Sequence, residues 1–292
     1  MMDPNLFTAQ TQVAHWGWTI AFFLWLVGLS GMGMFLNAWL RKKTLVYVCT
    51  AAAIVGTLLV MSHLTRILNL PMAAINSLLA LSFNFTSWMF IGICLLVMQC
   101  IATLFVSLVE ARVLFTGTWA RTLVEHPLVN GILAACGVAV TIYSGFLLTQ
   151  AVGVTFWNTA LIPVLWIISG LASALGVIEL IDLKEGNVPQ WTHQAGLWVE
   201  LAELFALFSL VHVGYSSVSE AARMGAHALL CGDTALLFWV GAIGCGILVP
   251  LAVRLFIKNR SVAGVAALLA IFGALALRAA VLFAGYYEPT LL

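Results

Sequence analysis

Eight long apolar runs recur along the chain, separated by short polar or Pro/Gly-marked breaks. They cover residues 17–39, 45–64, 84–108, 128–151, 160–181, 195–216, 235–256 and 262–285. A spanning helix needs about 20 mostly apolar residues, so each run predicts a transmembrane α-helix. The breaks are "RKK" at 41–43, Pro71, "EHP" at 125–127, "GVTFWN" at 153–158, "KEGNVPQWTH" at 184–193 and "CGD" at 231–233. None leaves room for a soluble domain. The pattern predicts an all-α integral membrane protein with eight spans.

The runs also resemble one another. "LWLVGLSGMG" in the first span parallels "LWIISGLASALG" in the fifth, and "SWMFIGICLL" in the third parallels "FWVGAIGCGIL" in the seventh. This predicts two four-helix halves, 1–151 and 152–292, within one membrane domain. They would share a topology and be related by an axis along the membrane normal, as parallel repeats are. Small residues, among them Gly28, Gly31, Gly33, Gly170, Gly176, Gly241, Gly244 and Gly246, are placed to let helices approach closely.

Composition agrees with the pattern. Of 292 residues, 63% are hydrophobic and 8% charged, against about 25% charged in soluble domains. A net charge of +1 offers no nucleic-acid surface. The first fifteen residues hold no Lys or Arg, so they are not expected to be a signal peptide. Lys and Arg divide unevenly between the two membrane faces. Arg41, Lys42, Lys43, Arg112, Arg121, Lys184, Arg254, Lys258 and Arg260 fall on one side, against Arg66, Arg223 and Arg278 toward the other. The first side is expected to be cytoplasmic, with both termini outside. The six cysteines form no CxxC. Clusters need grouped thiolates, so no iron–sulfur cluster and no metal site is expected in this chain.

Ionisable groups inside spans cost about 3 kcal/mol each on insertion scales, which makes each a candidate for function. His63 and Arg66 lie three residues apart, so they share a helix face at the outer end of the second span. Tyr143 lies in the outer half of the fourth span. Arg278 lies about two turns inside the eighth and should point into the bundle toward an acceptor. Glu200 and Glu203 are one turn apart in the sixth span, Glu203 near mid-membrane, and form a possible proton route. Glu179 ends the fifth span and is expected to be a solvated terminus. His212 reads as an interfacial histidine. His63, Arg66, Tyr143 and Arg278 thus gather donors and one group that titrates near neutrality in the outer half. Such a set suits a neutral, lipid-borne ligand with carbonyl or hydroxyl oxygens. A quinone fits that description.

At these residues the sequence resembles the NrfD-type, or polysulfide-reductase-type, membrane subunits of bacterial respiratory oxidoreductases. The resemblance is carried by "HLTR" at 63–66, "SFNFTSWM" at 82–89, "YSGFLL" at 143–148, "LIPVLWIISGLASALG" at 161–176, "FWVGAIGCGILVPL" at 238–251 and "LRAAVLFAG" at 277–285. A more distant likeness to dimethyl-sulfoxide-reductase-type anchors centres on His63. The resemblance implies an eight-helix anchor in the bacterial inner membrane that binds menaquinone or ubiquinone without haem. It also implies a four-cluster, ferredoxin-like iron–sulfur partner on the outer face, with a molybdopterin or multihaem catalytic subunit beyond. His63 then matches the quinol-site histidine, Tyr143 a tyrosine beside the ring, Arg278 the arginine of the last helix and Glu203 a glutamate of the sixth. The first span departs from the family: Ile20 and Phe23 stand where polar quinone contacts are expected.

Two other classes remain open on the sequence. A haem b anchor would use His63 and His212 as axial ligands. A secondary transporter would exploit the repeat, although Pro163 and Pro250 lie near span ends rather than at mid-membrane, where transporter helices break.

Overall fold

A computed structural model of the chain describes residues 13–14, 16–63, 75–76, 79, 86–186, 189–257 and 259–288. Its eight long apolar helices are α1 (Trp18–Leu40), α2 (Lys43–Ser62), α3 (Trp88–Glu110), α5 (Pro127–Thr149), α6 (Leu161–Glu185), α7 (Gln190–Tyr215), α9 (Leu237–Phe256) and α10 (Arg260–Phe283). Short helices α4 (Thr118–Glu125) and α8 (Glu220–Cys231) fill two of the breaks between the apolar runs. They are amphipathic but too short to span.

Local chemistry sets the helix ends. Asn37 Oδ1 accepts from the Lys42 amide at 2.8 Å and Arg41 takes a left-handed conformation (φ 51°), so α1 turns into α2 within two residues. Ser87 caps α3 by accepting from the Phe90 amide, and Ser219 caps α8 through the Ala222 amide. Pro127 opens α5 at the position where its missing N–H costs nothing. Gly186 (φ 88°) closes α6, and Pro189 immediately precedes α7. Residues Leu237–Leu248 of α9 wind as a π-helix before α-winding resumes at Val249, next to Pro250. Extended π-winding is rare.

The helices pack as two rings of four. In the first, α1 lies against α2 and α5, and α3 closes the ring between them. In the second, α6 lies against α7 and α10, and α9 closes it. The order of packing is the same in both. α1, α5, α6 and α10 form the junction between rings, where helices come very close. Gly31 meets Gly137 and Gly170 meets the Gly28 carbonyl, and within the second ring Gly246 of α9 meets Gly273 of α10. Polar side chains add interhelical bonds: Gln99 Nε2 to Ser30 Oγ (3.1 Å), Thr50 to Ser107 (2.6 Å) and Trp25 Nε1 to the Ile271 carbonyl (3.0 Å).

The two ends of the bundle differ in charge. All the ion pairs among the described residues lie at the end that carries Arg41 to Lys43, termed the basic end. There Lys42 Nζ sits 2.5 Å from Asp182 and 2.8 Å from Glu185. Partial burial pulls the Lys42 ammonium down, but the two carboxylates outweigh it and hold the group above its usual range. At the opposite, far end Val13 pairs with Tyr286, and the Ala14 amide bonds the Gly285 carbonyl at 2.9 Å. Both ends of the described chain therefore meet on one face.

Candidate functional site: a cavity beneath the far end

In the first ring the third span carries a glycine where an aromatic of the fourth fits. Gly92 of α3 faces the ring of Tyr143, and any Cβ there would overlap the phenol. Tyr143 is buried against it, 5% exposed. Beside this contact opens a cavity of about 350 Å³, walled by α1, α2, α3 and α5. Ligand sites of about 300 to 1,000 Å³ are usual for small molecules. Ile20, Val60, Met61, Ile93, Leu96 and Leu147 make the wall apolar, with Trp16 near the far end. Met89 and Val97 line the cavity and are also exposed on the apolar flank of the bundle, so this wall borders the region that lipid would occupy.

Two of the four residues expected around the ligand come together here. His63 caps α2, lines the cavity, and is exposed at the far end. It therefore stands at the rim of the cavity. Tyr143 lines the same cavity. Arg66 lies outside the described residues, as does most of the 68–81 segment that follows it. The first-span residue Ile20 lines the cavity, whereas Phe23 is buried elsewhere in the core. Thr57 is a further polar group in the wall, 3.3 Å from Cys100 Sγ.

Arg278 is not among the cavity's lining residues. It is fully buried in the second ring, where Nη2 donates to the Trp166 carbonyl at 2.8 Å and the guanidinium lies 5.6 Å from the Trp166 ring centre. It fills the notch left by Gly28 on α1. The expectation that it points into the bundle and finds an acceptor holds. Arg278 packs against α1 at Gly28, while His63 and Tyr143 line the cavity.

The carboxylates also differ from expectation. Glu179 is no solvated terminus: it is buried and bonds Arg254 Nη2 at 2.8 Å. Glu200 takes Arg254 Nε at 2.8 Å, so one arginine of α9 joins α6 to α7. Gly196 leaves the space that the Arg254 guanidinium fills. Glu203 is 2% exposed. His212 is exposed and stacks on Phe208 with ring centres 6.2 Å apart. The six cysteines are free. No group of three or more His, Cys, Asp or Glu side chains placed to hold a metal occurs among the described residues.

A family model described as "Polysulphide reductase, NrfD" matches residues 6–289. The chain belongs to the NrfD family. Among its relatives, "Protein NrfD" of Escherichia coli (strain K12) is 28% identical over 94% of this chain and 98% of its own length. A component chain of the polysulfide reductase of Wolinella succinogenes is 27% identical over 94% of this chain and 96% of its own. A putative membrane subunit of a dimethyl sulfoxide reductase of Halobacterium salinarum is 28% identical over 57% of this chain and 40% of its own. With its eight membrane-length helices, this NrfD-type protein is a multi-pass membrane subunit.

Proposed function

We propose that this NrfD-type subunit anchors a respiratory oxidoreductase complex in the bacterial inner membrane and binds menaquinone or ubiquinone in the cavity beneath the far end. The observation that carries the reading is the meeting of His63 and Tyr143 in one apolar cavity that borders the lipid flank. A quinone, when bound, supplies two-electron, two-proton chemistry at its ring oxygens. The chain's own groups fit such a head group: an imidazole, a phenol and greasy walls.

Their roles follow from position. The apolar walls exclude water and hold the ring. The Tyr143 hydroxyl donates a hydrogen bond to a ring oxygen and orients it. His63 takes a proton at an imidazole nitrogen from a quinol hydroxyl, or returns one in the reverse direction. Because His63 also reaches the far face, that proton exchanges with the solvent there. Arg66, one turn beyond His63 in sequence, is proposed as the cation that steadies negative charge on a ring oxygen.

The far face is proposed as the external one, because nine Lys and Arg fall at the basic end or in its loops. A four-cluster, ferredoxin-like iron–sulfur subunit would dock at the far face and pass electrons to or from a molybdopterin or multihaem subunit. The Wolinella and Halobacterium relatives are named as parts of reductases, which supports assembly with catalytic subunits. The matched packing of the two rings supports the division of the chain into four-helix halves at residues 151 and 152.

The test is His63→Ala in the assembled complex. Quinol-driven turnover should fall about 100-fold or more, the usual weight of a general acid–base group. Activity from a water-soluble donor and copurification of the partner subunits should persist. Unchanged quinol turnover would remove His63 from the mechanism.

A further inference from the structure

The connection between α3 and α5, at the basic end, carries groups that the quinone reading does not use. α3 ends at Glu110, the chain turns through Arg112 and Phe115, and α4 begins at Thr118. Between this turn, α4 and the start of α2 lies a cavity of about 320 Å³, a size usual for small-ligand sites. Lys43, Arg112 and Arg121 line it, together with Glu110 and Glu125. The two carboxylates are already matched: Lys43 Nζ lies 3.2 Å from Glu110, and Arg121 Nε donates to Glu125 at 2.8 Å. A smaller recess adjoins, sharing Lys43, Glu110, Val124 and Glu125 as walls and adding Arg41. Neither Arg112 nor Arg41 makes an ion pair among the described residues. The cleft therefore holds two guanidinium groups with no anion of their own.

The backbone and the rim point the same way. Among the described residues, three other than glycine have a positive φ: Arg41 (51°), Arg112 (54°) and Phe115 (57°). All three line the cavity or its recess. Left-handed backbone at such residues persists only where its surroundings over-determine it, and it gathers at ligand clamps. On one side the rim is apolar. Phe115 and Trp119 pack with Phe105 of α3, at ring-centre distances of 5.2 and 6.5 Å. Val113, Leu114, Phe115 and Trp119 are exposed. Phe105 lies near the basic end of an apolar span, so these rings stand where hydrocarbon gives way to headgroups, the usual depth of membrane Trp.

We infer that the cleft between α2, α3 and α4 binds the phosphate headgroup of an anionic membrane phospholipid. The planar fork of an arginine matches phosphate oxygens, and basic pockets on the cytoplasmic side of membrane proteins bind such headgroups. Arg112 and Arg41 supply the uncommitted charge. Lys43 and Arg121 lie beside them, each with hydrogens left over from its carboxylate. The lipid's chains lie over Phe105, Phe115 and Trp119, surface that a free phosphate would leave uncovered. The site is at the opposite end of the first ring from the His63–Tyr143 cavity, and it stands whether or not that cavity holds a quinone.

The test is native mass spectrometry of the complex in detergent, titrated with phosphatidylglycerol, with phosphatidylethanolamine of the same chains, and with inorganic phosphate. Phosphatidylglycerol should be retained in preference to phosphatidylethanolamine, and equimolar inorganic phosphate should not displace it. Arg112→Gln should weaken phosphatidylglycerol about fivefold, and Arg41→Gln with Arg112→Gln about 25-fold, the weight of one and two cations at a membrane surface. Both arginines are exposed, so the variants should keep the parental thermal unfolding. Lys184→Gln removes an exposed cation at the same end but on α6, and should leave binding unchanged. Equal retention of the two lipids, displacement by inorganic phosphate, parental affinity in the double variant, or an equal loss from Lys184→Gln would each overturn the inference. Phosphatidylglycerol with a photoreactive chain gives a second reading. It should label residues 105–119, and labelling confined to other helices would sink the site.

Discussion

The two rings share an order of packing and put their polar groups to opposite uses. In the ring of α1, α2, α3 and α5, the cavity wall is apolar and its one charged-capable group, His63, stands exposed at the rim. In the ring of α6, α7, α9 and α10, Glu179, Glu200, Glu203, Arg254 and Arg278 are drawn into the interior. The first arrangement would suit the neutral, lipid-borne guest proposed above. The second ties its helices together through buried ions. Two four-helix rings of like packing thus differ in their interiors: one keeps space beside the Gly92–Tyr143 contact, and the other fills it with buried ions. The contrast also separates function from stability. An exposed His63 can be removed at little structural cost, whereas a buried ion cluster cannot lose one member without exposing the others to an apolar interior.

The sharpest way to break this contrast is Arg254→Met. It strands Glu179 and Glu200 without their cation, at side chains only 9% and 3% exposed. Removing one partner of a buried pair costs about 3–5 kcal/mol. Thermal unfolding in detergent should shift accordingly, and the triple change Arg254→Met, Glu179→Gln, Glu200→Gln should recover most of the loss. His63→Ala, read in the same assay, should lie within about 0.5 kcal/mol of the parent. If Arg254→Met proved equally harmless, the cluster would not be an interior one.

A smaller effect is expected at Gly92→Ala. The added methyl overlaps the Tyr143 phenol, and overpacking of this kind costs about 1–3 kcal/mol. The tyrosine must swing toward the cavity, so the Michaelis constant for quinol should rise while the soluble-donor activity stays level. A parent-like constant would show that the Gly92–Tyr143 contact does not shape the ligand space.

Much of this was legible in the sequence, for a physical reason. A run of some twenty apolar residues has few solutions other than a spanning helix, because backbone polar groups in lipid must be satisfied within the segment. All eight spans lie where the hydropathy pattern puts them. The largest shift is at α7, which starts at Gln190 rather than 195 because helix geometry continues past the apolar stretch to Pro189. The polar partners were less legible. Glu179 and Arg254 are 75 residues apart, and a carboxylate near a span end reads as solvated until the arginine opposite is seen. A single glycine in an apolar run, such as Gly92, does not disclose which side chain it faces. The π-winding of α9 had no cue beyond Pro250 and three nearby glycines. Arg278 does turn inward, but inward has two senses in a molecule with two rings, and only packing decides between them.

The finest discrimination comes at Tyr143→Phe. This removes one hydroxyl from a buried ring and leaves its contact with Gly92 intact. If the hydroxyl donates to a ring oxygen of the quinone, its loss weakens binding by about 1 kcal/mol, roughly fivefold in the Michaelis constant. The maximal rate should stay near parental if His63, as proposed, and not Tyr143 handles the proton. A fall in maximal rate with an unchanged constant would mean the reverse: the phenol would then act in proton transfer, and His63 would be left with orientation. The cavity would keep its ligand but exchange the roles of its two polar groups. Activity indistinguishable from the parent in both parameters would show that the ring is held by the apolar walls and His63 alone, with Tyr143 serving only to pack the gap at Gly92.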